Sequence, residues 1–190
     1  MTESVDWAQQ WAEFAPHFEN GLSTVSLDPY ENLKLAPGAG FGDLSHPTTR
    51  LMLQVMKSRS DGQIVLDIGC GSGILTLAAS RMGADHAHGI DIDPLALEHA
   101  EKNQTLNHLE GVSFSYTWKK NPTLVLMNMI YSEQEVAWTA QKLSSTPKTI
   151  ITSGVLASQR ERYLSMTKKW GWIFQEERQE EDWLAFVFTQ

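Results

Sequence analysis

The stretch that most constrains the fold is residues 64–75, Ile-Val-Leu-Asp-Ile-Gly-Cys-Gly-Ser-Gly-Ile-Leu. Its first five residues are mostly apolar and rich in β-branched side chains, which predicts a buried parallel strand. The glycines at 69, 71 and 73 predict a tight turn, and helical spacing then resumes up to Met82. A strand, a glycine turn and a helix in this order bring the backbone close to a nucleotide-like ligand. No lysine follows the glycines, which excludes a phosphate-binding P-loop.

An acidic residue follows the second predicted strand at the distance that a ribose-binding site requires. That strand covers residues 87–91, and Asp91 lies 22 positions after Gly69. An acid about 20 residues beyond a glycine loop is placed to accept hydrogen bonds from ribose hydroxyls. A tight glycine loop and such an acid, without a device that binds phosphate, indicate an S-adenosylmethionine site. The alternative is a glycine turn that only lets strand and helix pack together.

Strands and helices alternate along the rest of the chain, and this alternation predicts the fold class. The predicted strands are residues 64–68, 87–91, 112–116, 123–127, 149–152, 172–176 and 183–188. The predicted helices are residues 46–57, 74–82, 93–106, 132–143 and 156–170. This order predicts an α/β fold with a doubly wound, mostly parallel, seven-stranded sheet. The last strand should be antiparallel, because no helix separates it from the strand before it. The acidic residues 176–182 between them are interpreted as a solvated turn, with a docking surface for a basic protein as the alternative.

The chain is interpreted as two parts. Residues 1–45 should form an N-terminal linker helix and a glycine-rich loop, and residues 46–190 should form the cofactor-binding domain. Trp7 and Trp11 have helical spacing, and Asp6 is placed to cap that helix. The rest of the first part shows no sustained period and ends in a turn-rich loop.

Composition excludes several classes of protein. The net charge of −8 argues against a broad nucleic-acid surface and is compatible with a basic partner. No apolar run reaches the ~20 residues of a membrane span, and the start lacks the regions of a signal peptide. The only cysteine, Cys70, fits a reducing cytoplasm. The six histidines have no ligand spacing, so no metal site is expected. The oligomeric state does not follow from the sequence.

Asn128 ends the fourth predicted strand and should face the same crevice as Gly69 and Asp91. Its amide carbonyl can accept a hydrogen bond from an amine N–H, and this would orient the lone pair of a neutral amine for methyl transfer. The alternative is that Asn128 caps the following helix, which Ser132 could do as well.

Several further residues could line a pocket or be core. The aromatic and methionine candidates are Phe41, Trp118, Met127, Met129 and Tyr131, and such residues at strand ends are more often core. His46 could act as a base, but it directly precedes Pro47 at a helix start, where a structural role is the alternative.

The motifs together resemble the PrmA-type methyltransferases of large-subunit ribosomal protein eleven. The matching stretches are Pro37-Gly-Ala-Gly-Phe-Gly, His46-Pro-Thr-Thr-Arg, Leu66-Asp-Ile-Gly-Cys-Gly-Ser-Gly-Ile-Leu, Gly89-Ile-Asp-Ile-Asp-Pro, Asn128-Met-Ile and Ser153-Gly-Val-Leu-Ala-Ser-Gln. The resemblance implies a Rossmann-like S-adenosylmethionine-dependent methyltransferase that acts on lysine side-chain and N-terminal amines of a ribosomal protein. By this resemblance Thr49, Gly69, Asp91 and Asn128 occupy cofactor-binding positions. Phe41, Asp67, Gly71 and Gly73 are further predicted cofactor-binding residues. Asn128 is also the predicted catalytic residue.

Three departures from the family bear on the substrate. The linker helix is expected to be the first element of this sequence, whereas the family carries an N-terminal domain that grips the ribosomal protein. The loop after Phe41 continues as Gly-Asp-Leu-Ser, which loses a glycine and adds a negative charge. Residues 116–119, Tyr-Thr-Trp-Lys, lack an acid for the adenine amino group. Two alternatives therefore stay open: a methyltransferase of small molecules, and a non-catalytic protein that binds the cofactor or a partner.

Overall fold

The computed structural model describes residues 5–141, 143 and 146–190. The helices are α1 (Trp7–Phe14), α2 (Pro47–Met56), α3 (Ile74–Arg81), α4 (Pro94–Leu106), α5 (Tyr131–Ala140) and α6 (Arg160–Lys169). The strands are β1 (Phe18–Glu19), β2 (Leu22–Val25), β3 (Leu33–Leu35), β4 (Ile64–Ile68), β5 (His86–Ile90), β6 (Val112–Ser115), β7 (Leu124–Asn128), β8 (Thr149–Leu156), β9 (Ile173–Glu180) and β10 (Trp183–Thr189). Among these residues no helix is both long and apolar enough to cross a bilayer.

The predicted seven-stranded sheet is confirmed. Its strand order is β6-β5-β4-β7-β8-β10-β9, with parallel pairing from β6 to β8. The last strand, β10, runs antiparallel to both of its neighbours. The order reverses at β4, so the carboxyl ends of β4, β5 and β7 meet at a switch point, where α/β sheets bind ligands.

Both faces of the sheet are buried, as the apolar strands predict. Val65, Leu124 and Ile151 belong to a core cluster on one face, together with residues of α1, α2 and α3. Leu66 and Val125, which alternate with them, belong to a second cluster on the other face under α5 and α6. Period-two alternation along each strand therefore divides the core into two layers.

Residues 21–45 contain more structure than the sequence predicts. Strands β1, β2 and β3, within residues 18–35, form a small antiparallel sheet for which the sequence gives no prediction. The strands have only two to four residues, too few for a visible sequence period. Val25, Leu33 and Leu35 are fully buried and share one core cluster with Trp11 and the main sheet. The division of the chain into residues 1–45 and 46–190 stays a prediction.

The predicted acidic turn at residues 176–182 is also wrong, because β9 continues through it to Glu180. Arginines outside the hairpin bind its carboxylates from both faces of the sheet. The ion pairs are Arg59–Glu176 at 2.5 Å, Arg50–Glu180 at 2.6 Å and Arg160–Glu177 at 2.8 Å. These contacts offset the repulsion between the carboxylates, so the acidic segment can extend as an edge strand and does not form a loop. Each pair is about one third exposed, so each stabilises the fold by ~1 kcal/mol or less.

Helix α5 is attached to the sheet through one buried polar side chain, in addition to Ala137 and Trp138, which pack on the core. The predicted helix over residues 132–143 ends at Ala140, and residue 142 lies outside the described residues. Gln134 is the only fully buried residue of α5. Its Nε2 donates to Met129 O (2.8 Å) and Ser153 O (2.9 Å), and its Oε1 accepts from Tyr163 Oη (2.6 Å). All three hydrogen bonds leave the helix and end on neighbouring elements.

Replacing Gln134 by alanine should therefore destabilise the protein, because the carbonyls of Met129 and Ser153 and the buried Tyr163 hydroxyl each lose a partner. An unsatisfied buried group costs ~1–3 kcal/mol, so we expect a loss of about 2–4 kcal/mol in the free energy of unfolding. Urea denaturation followed by circular dichroism measures it. Glu135→Ala, which changes an exposed residue of the same helix, is the control and should stay within about 0.5 kcal/mol of the wild type. Equal effects of the two substitutions would contradict the anchoring role.

Candidate active site

A cavity of about 760 Å³ opens at the switch point of the sheet. Its floor is formed by the ends of β4, β5 and β7 and the residues that directly follow them. One wall is the loop before α2, with Ala39, Gly40 and Phe41, and the opposite wall is α5. The volume lies within the ~300–1,000 Å³ that small-molecule and cofactor sites occupy.

The glycine loop is held against the end of β5 by backbone hydrogen bonds. The N–H groups of Gly69 and Cys70 both donate to Ile90 O, at 2.8 and 3.0 Å. Gly71 has a φ of +54°, and a Cβ atom on it would lie 2.6 Å from Phe41 O. Only glycine can occupy this position without moving one of the two loops. Gly69 and Gly71 line the cavity, as predicted for a backbone that a ligand approaches closely.

Asp91 lines the cavity and also fixes the loops around it. Its Oδ2 accepts from the Gly71 N–H and its Oδ1 from the Asp93 N–H, both at 3.0 Å. A carboxylate has about four lone-pair positions, so both oxygens keep capacity for a ligand's hydroxyl groups. The side chain is partly exposed, on the cavity side of β5. The predicted ribose-binding position is thus accessible.

Asn128 lines the cavity and carries a hydrogen-bond acceptor that has no partner among the described residues. Its Nδ2 donates to Thr49 Oγ1 at 3.3 Å, while its Oδ1 is buried and has no partner among the described residues. Helix α5 begins at Tyr131 with Ile130 as its N-cap and no capping side chain. The alternative in which Asn128 or Ser132 caps this helix is therefore wrong. The free oxygen is the group that would orient an amine.

Phe41, His46 and Trp183 form an aromatic rim at the cavity. The His46 ring contacts Phe41 edge-on at a centroid distance of 5.7 Å and Trp183 at 4.8 Å. His46 caps α2, since its Nδ1 accepts from the Thr48 N–H at 3.3 Å, which confirms the structural alternative. Burial, and next the Arg50 guanidinium, lower the pKa of His46, whereas Glu181 and Asp43 raise it. The net lowering keeps the ring neutral at pH 7.

Three predicted site residues lie behind the cavity wall. Thr49 is fully buried and reaches the cavity only through Asn128. Gly73 begins α3 at a φ of +80°, where a Cβ would press on Ala100, so it serves helix packing. Asp67 is buried and accepts a hydrogen bond from the Thr76 hydroxyl at 2.7 Å. Among the pocket candidates, Met129 lines the cavity, whereas Met127, Trp118 and Tyr131 pack in or on the core.

Part of the cavity lining is not predicted by the sequence. Ile92, with 94% of its surface exposed, and Tyr116 lie at its opening, and Glu133 and Val136 belong to the α5 wall. Ile92 could have been identified from the sequence, because it is an apolar residue directly after Asp91, the predicted ribose-binding acid. No comparable signal existed for α5, whose apolar residues do not form a clear stripe.

The charge of the lining favours a cationic ligand. Asp91, Asp93 and Glu133 contribute carboxylates, and no lysine or arginine is among the described residues that line the cavity. Across the part of the chain that the structure describes, no group of three or more histidine, cysteine, aspartate or glutamate residues could hold a metal ion.

Asp67 makes the stability of the protein depend on pH. Burial, opposed by the Thr76 hydrogen bond and assisted by the Asp91 charge, raises the pKa of this carboxyl from 3.8 to about 7. Between these values the unfolded chain releases the proton while the folded protein keeps it, so stability falls as pH rises and then stays level above about 7.

Asp67→Asn should remove this pH dependence, because an amide does not ionise. The wild type should lose on the order of 1.4 kcal/mol of stability relative to the variant for each pH unit between about 4 and 7. Urea unfolding of both proteins at pH 5, 6 and 8 measures the difference, and groups common to both cancel. A difference that does not change with pH would show that Asp67 has an ordinary pKa.

The comparisons with known proteins agree with this geometry. The family described as ribosomal protein L11 methyltransferase (PrmA) matches residues 2–190. The ribosomal protein L11 methyltransferase of Photorhabdus laumondii is 38% identical over 178 residues, which are 84% of this chain and 59% of that protein. The Marinobacter nauticus protein of the same name is 34% identical over 98% of this chain and 67% of its own length. The chain thus spans about three fifths to two thirds of these curated relatives.

Solved structures support the fold. A ribosomal protein L11 methylase from Lactobacillus delbrueckii subsp. bulgaricus superposes with a TM-score of 0.72 at 19% identity, over 88% of this chain and 98% of that one. Methanocaldococcus jannaschii Trm5 in complex with adenosine gives a TM-score of 0.68 at 20% identity, over 90% of this chain and 57% of that one. The likeness to both shows the fold of methyltransferases. From the family match and the identity to its members, the chain belongs to the ribosomal protein L11 methyltransferase (PrmA) family.

Proposed function

We propose that the chain binds S-adenosylmethionine in the switch-point cavity and transfers its methyl group to amines of a protein, with a ribosomal protein as the acceptor. The observation that carries the proposal is Asn128 Oδ1, a buried acceptor without a partner at the end of β7. Membership of the L11 methyltransferase family supports the same chemistry. A ribosomal acceptor would locate the reaction in the cytoplasm.

The residues of the cavity fit this cofactor. Asp91 offers carboxylate oxygens to ribose hydroxyls, and the Gly69–Gly71 backbone permits close approach. The carboxylates of the lining, without an opposing cation, suit a ligand that carries a sulfonium and an amino group. Ile92 and Tyr116 offer exposed apolar surface for a planar base. When bound, S-adenosylmethionine supplies a methyl group on a positively charged sulfur.

The chain's own residues would bind and orient the acceptor. An amine attacks only when it is neutral, and the partly closed cavity lowers the pKa of a lysine by desolvation. Asn128 Oδ1 would accept one N–H of that amine and thereby aim its lone pair, while Thr49 holds the amide in this orientation. Asn128 accordingly has the catalytic role, and Asp91 and the glycine loop have the binding role. We further propose that residues 1–45 act as linker and cavity wall for the domain 46–190.

The acceptor is proposed to be a basic protein and not nucleic acid or a membrane. The chain has a net charge of −8, and the cavity opening carries acids. Attraction between an acidic enzyme and a basic substrate should weaken in salt, because the Debye length falls from about 10 Å at 0.1 M to about 3 Å at 1 M.

Labelled transfer tests the function directly. The purified chain is incubated with methyl-labelled S-adenosylmethionine and either purified ribosomal protein L11 or a cell lysate, at 0.1 M and 1 M salt. We expect label on amines of a protein, with less transfer at high salt. Asp91→Ala, which should lose about 1–3 kcal/mol of cofactor binding, is the control for the site. Label in small metabolites alone would favour the small-molecule alternative, and cofactor binding without any transfer would favour the non-catalytic one.

Asn128→Ala should separate catalysis from binding. The substitution removes the acceptor that orients the amine but leaves Asp91 and the glycine loop in place. A contact that matters mostly in the transition state lowers the rate more than the ground-state affinity. We expect the single-turnover rate to fall roughly tenfold or more, about 1.4 kcal/mol, with a smaller loss of cofactor affinity. Rate, affinity and melting temperature are measured on one preparation, and a change in melting temperature alone would remove Asn128 from catalysis.

A further inference from the structure

One wall of the cavity lies directly against the glycine loop, with backbone against backbone at Gly40 and Gly71. This wall loop, residues 36–42, contributes Ala39, Gly40 and Phe41 to the cavity. A Cβ atom on Gly40 would lie 2.4 Å from the carbonyl carbon of Gly71. The Ser72 N–H donates to Phe41 O at 2.9 Å, and its hydroxyl donates to Gly42 O at 3.0 Å. The position of the wall loop therefore decides the width of the site.

A buried histidine on α4 is inserted into the turn of this wall loop. His99 has 4% of its surface exposed, and its Nδ1 accepts from the Gly40 N–H at 3.1 Å. Its Nε2 lies 2.7 Å from Ala36 O. Since an N–H can only donate and a carbonyl can only accept, the proton must be on Nε2. The ring thus joins Ala36, the first residue of the wall loop, to Gly40, which contacts the glycine loop.

Other contacts hold the imidazole in this place. A Cβ atom on Gly38 would lie 2.4 Å from the ring, so the loop closes tightly around it. Trp11 of α1 covers the ring edge-on at a centroid distance of 5.6 Å, and its Nε1 donates to Gly38 O at 3.2 Å. His99 is accordingly locked between α1, α4 and the wall loop.

We propose that His99 is a positioning residue for the cofactor site, and that it holds the wall loop at the separation from the glycine loop that the cofactor requires. The inference rests on the proposed function, in which the cavity binds S-adenosylmethionine. His99 does not line the cavity itself. It acts through the Gly40 N–H, because Gly40 both lines the cavity and contacts the glycine loop.

The neutral form of the ring is required for this contact. If Nδ1 were protonated, its N–H would point at the Gly40 N–H. Two donors would then face each other, and the hydrogen bond would be lost. Burial lowers the pKa of His99. The Ala36 hydrogen bond opposes this effect, and the Lys102 charge on the same helix adds a smaller lowering. The neighbours of the ring on α1 and the wall loop, Trp11 and the backbone of residues 36–40, are uncharged. As pH falls below about 6.5, the unfolded or opened state binds the proton first, and the contact loses stability.

Two substitutions at this position separate the two hydrogen bonds. The Oδ1 of asparagine occupies about the place of Nδ1, so His99→Asn keeps an acceptor for Gly40. The longer glutamine reaches the place of Nε2, so His99→Gln keeps a donor for Ala36 and loses the Gly40 acceptor. Asn107→Ala is the matched control: its amide accepts from the Lys34 N–H at 2.8 Å and donates to Lys34 O at 2.7 Å, away from the cavity. All three proteins lose hydrogen bonds between α4, or the residue that caps its end, and the N-terminal segment.

Calorimetric titration of each folded protein with S-adenosylmethionine at pH 7.5 tests the proposal, with melting temperatures measured in parallel. We expect His99→Gln to bind roughly tenfold more weakly than the wild type, the scale of one lost hydrogen bond, and His99→Asn to bind within about threefold. Asn107→Ala should lower the melting temperature and leave the affinity unchanged. Lowering the pH from 7.5 to 5.5 should weaken binding more in the wild type than in His99→Asn, and titration of Asp67 and His46 cancels in this comparison. Affinities that follow melting temperature in all three variants would overturn the positioning role.

A measurement without ligand separates this inference from the proposed function. Amide hydrogen exchange of Gly40, followed by NMR in the free protein, should be protected in the wild type and His99→Asn and fast in His99→Gln. Exchange that is equally slow in all three proteins would refute the His99 contact whatever the cavity binds. A wild type that shows this protection but does not bind S-adenosylmethionine would refute the proposed function instead.

Discussion

Three chain segments converge at the carboxyl end of β4 through close backbone contacts, and the arrangement of the cavity depends on this close approach. Gly71 faces Phe41 O on one side, and its neighbours Gly69 and Cys70 share Ile90 O on the other. A single methyl group at Gly71 or Gly40 would force the loops apart. The glycines therefore do more than allow a turn: they set the distance between the cavity floor and its wall.

The two walls of the cavity are held by polar side chains in otherwise apolar surroundings. The wall loop is fixed by His99 from α4, and α5 is fixed by Gln134 from within the wall itself. Apolar contacts alone would let either wall slide, since the hydrophobic effect has no direction. Hydrogen bonds with defined donors and acceptors fix position and orientation. A site that must align a methyl donor with an acceptor needs this kind of constraint.

The parts of the fold that the sequence predicts are those with a strong local pattern. Ile64–Ile68 and the glycines after it identify the switch point, and Asp91 follows from its spacing alone. Asn128 could be placed at the cavity from the strand that it ends, but the choice between helix cap and site required the observed start of α5. The small sheet of residues 18–35 was not predictable, because its strands are too short to show a period. His99 gives no signal at all, since a histidine in the middle of an amphipathic helix is ordinary.

Strand β9 shows how the protein limits growth of its own sheet. It lies at one edge of the seven-stranded sheet, so its outer side offers backbone donors and acceptors to any extended chain. From Glu176 to Glu180 its side chains are charged or polar on both faces. Arg50 of α2, Arg59 of the turn after α2 and Arg160 of α6 hold the carboxylates in place. A strand that paired there would have to dehydrate those charges. Only Ile173 and Phe174, at the start of β9, present an apolar edge, and two residues are too few to support a stable intermolecular sheet. The same ion pairs that turn an acidic segment into a strand thus also make that strand a poor template for aggregation.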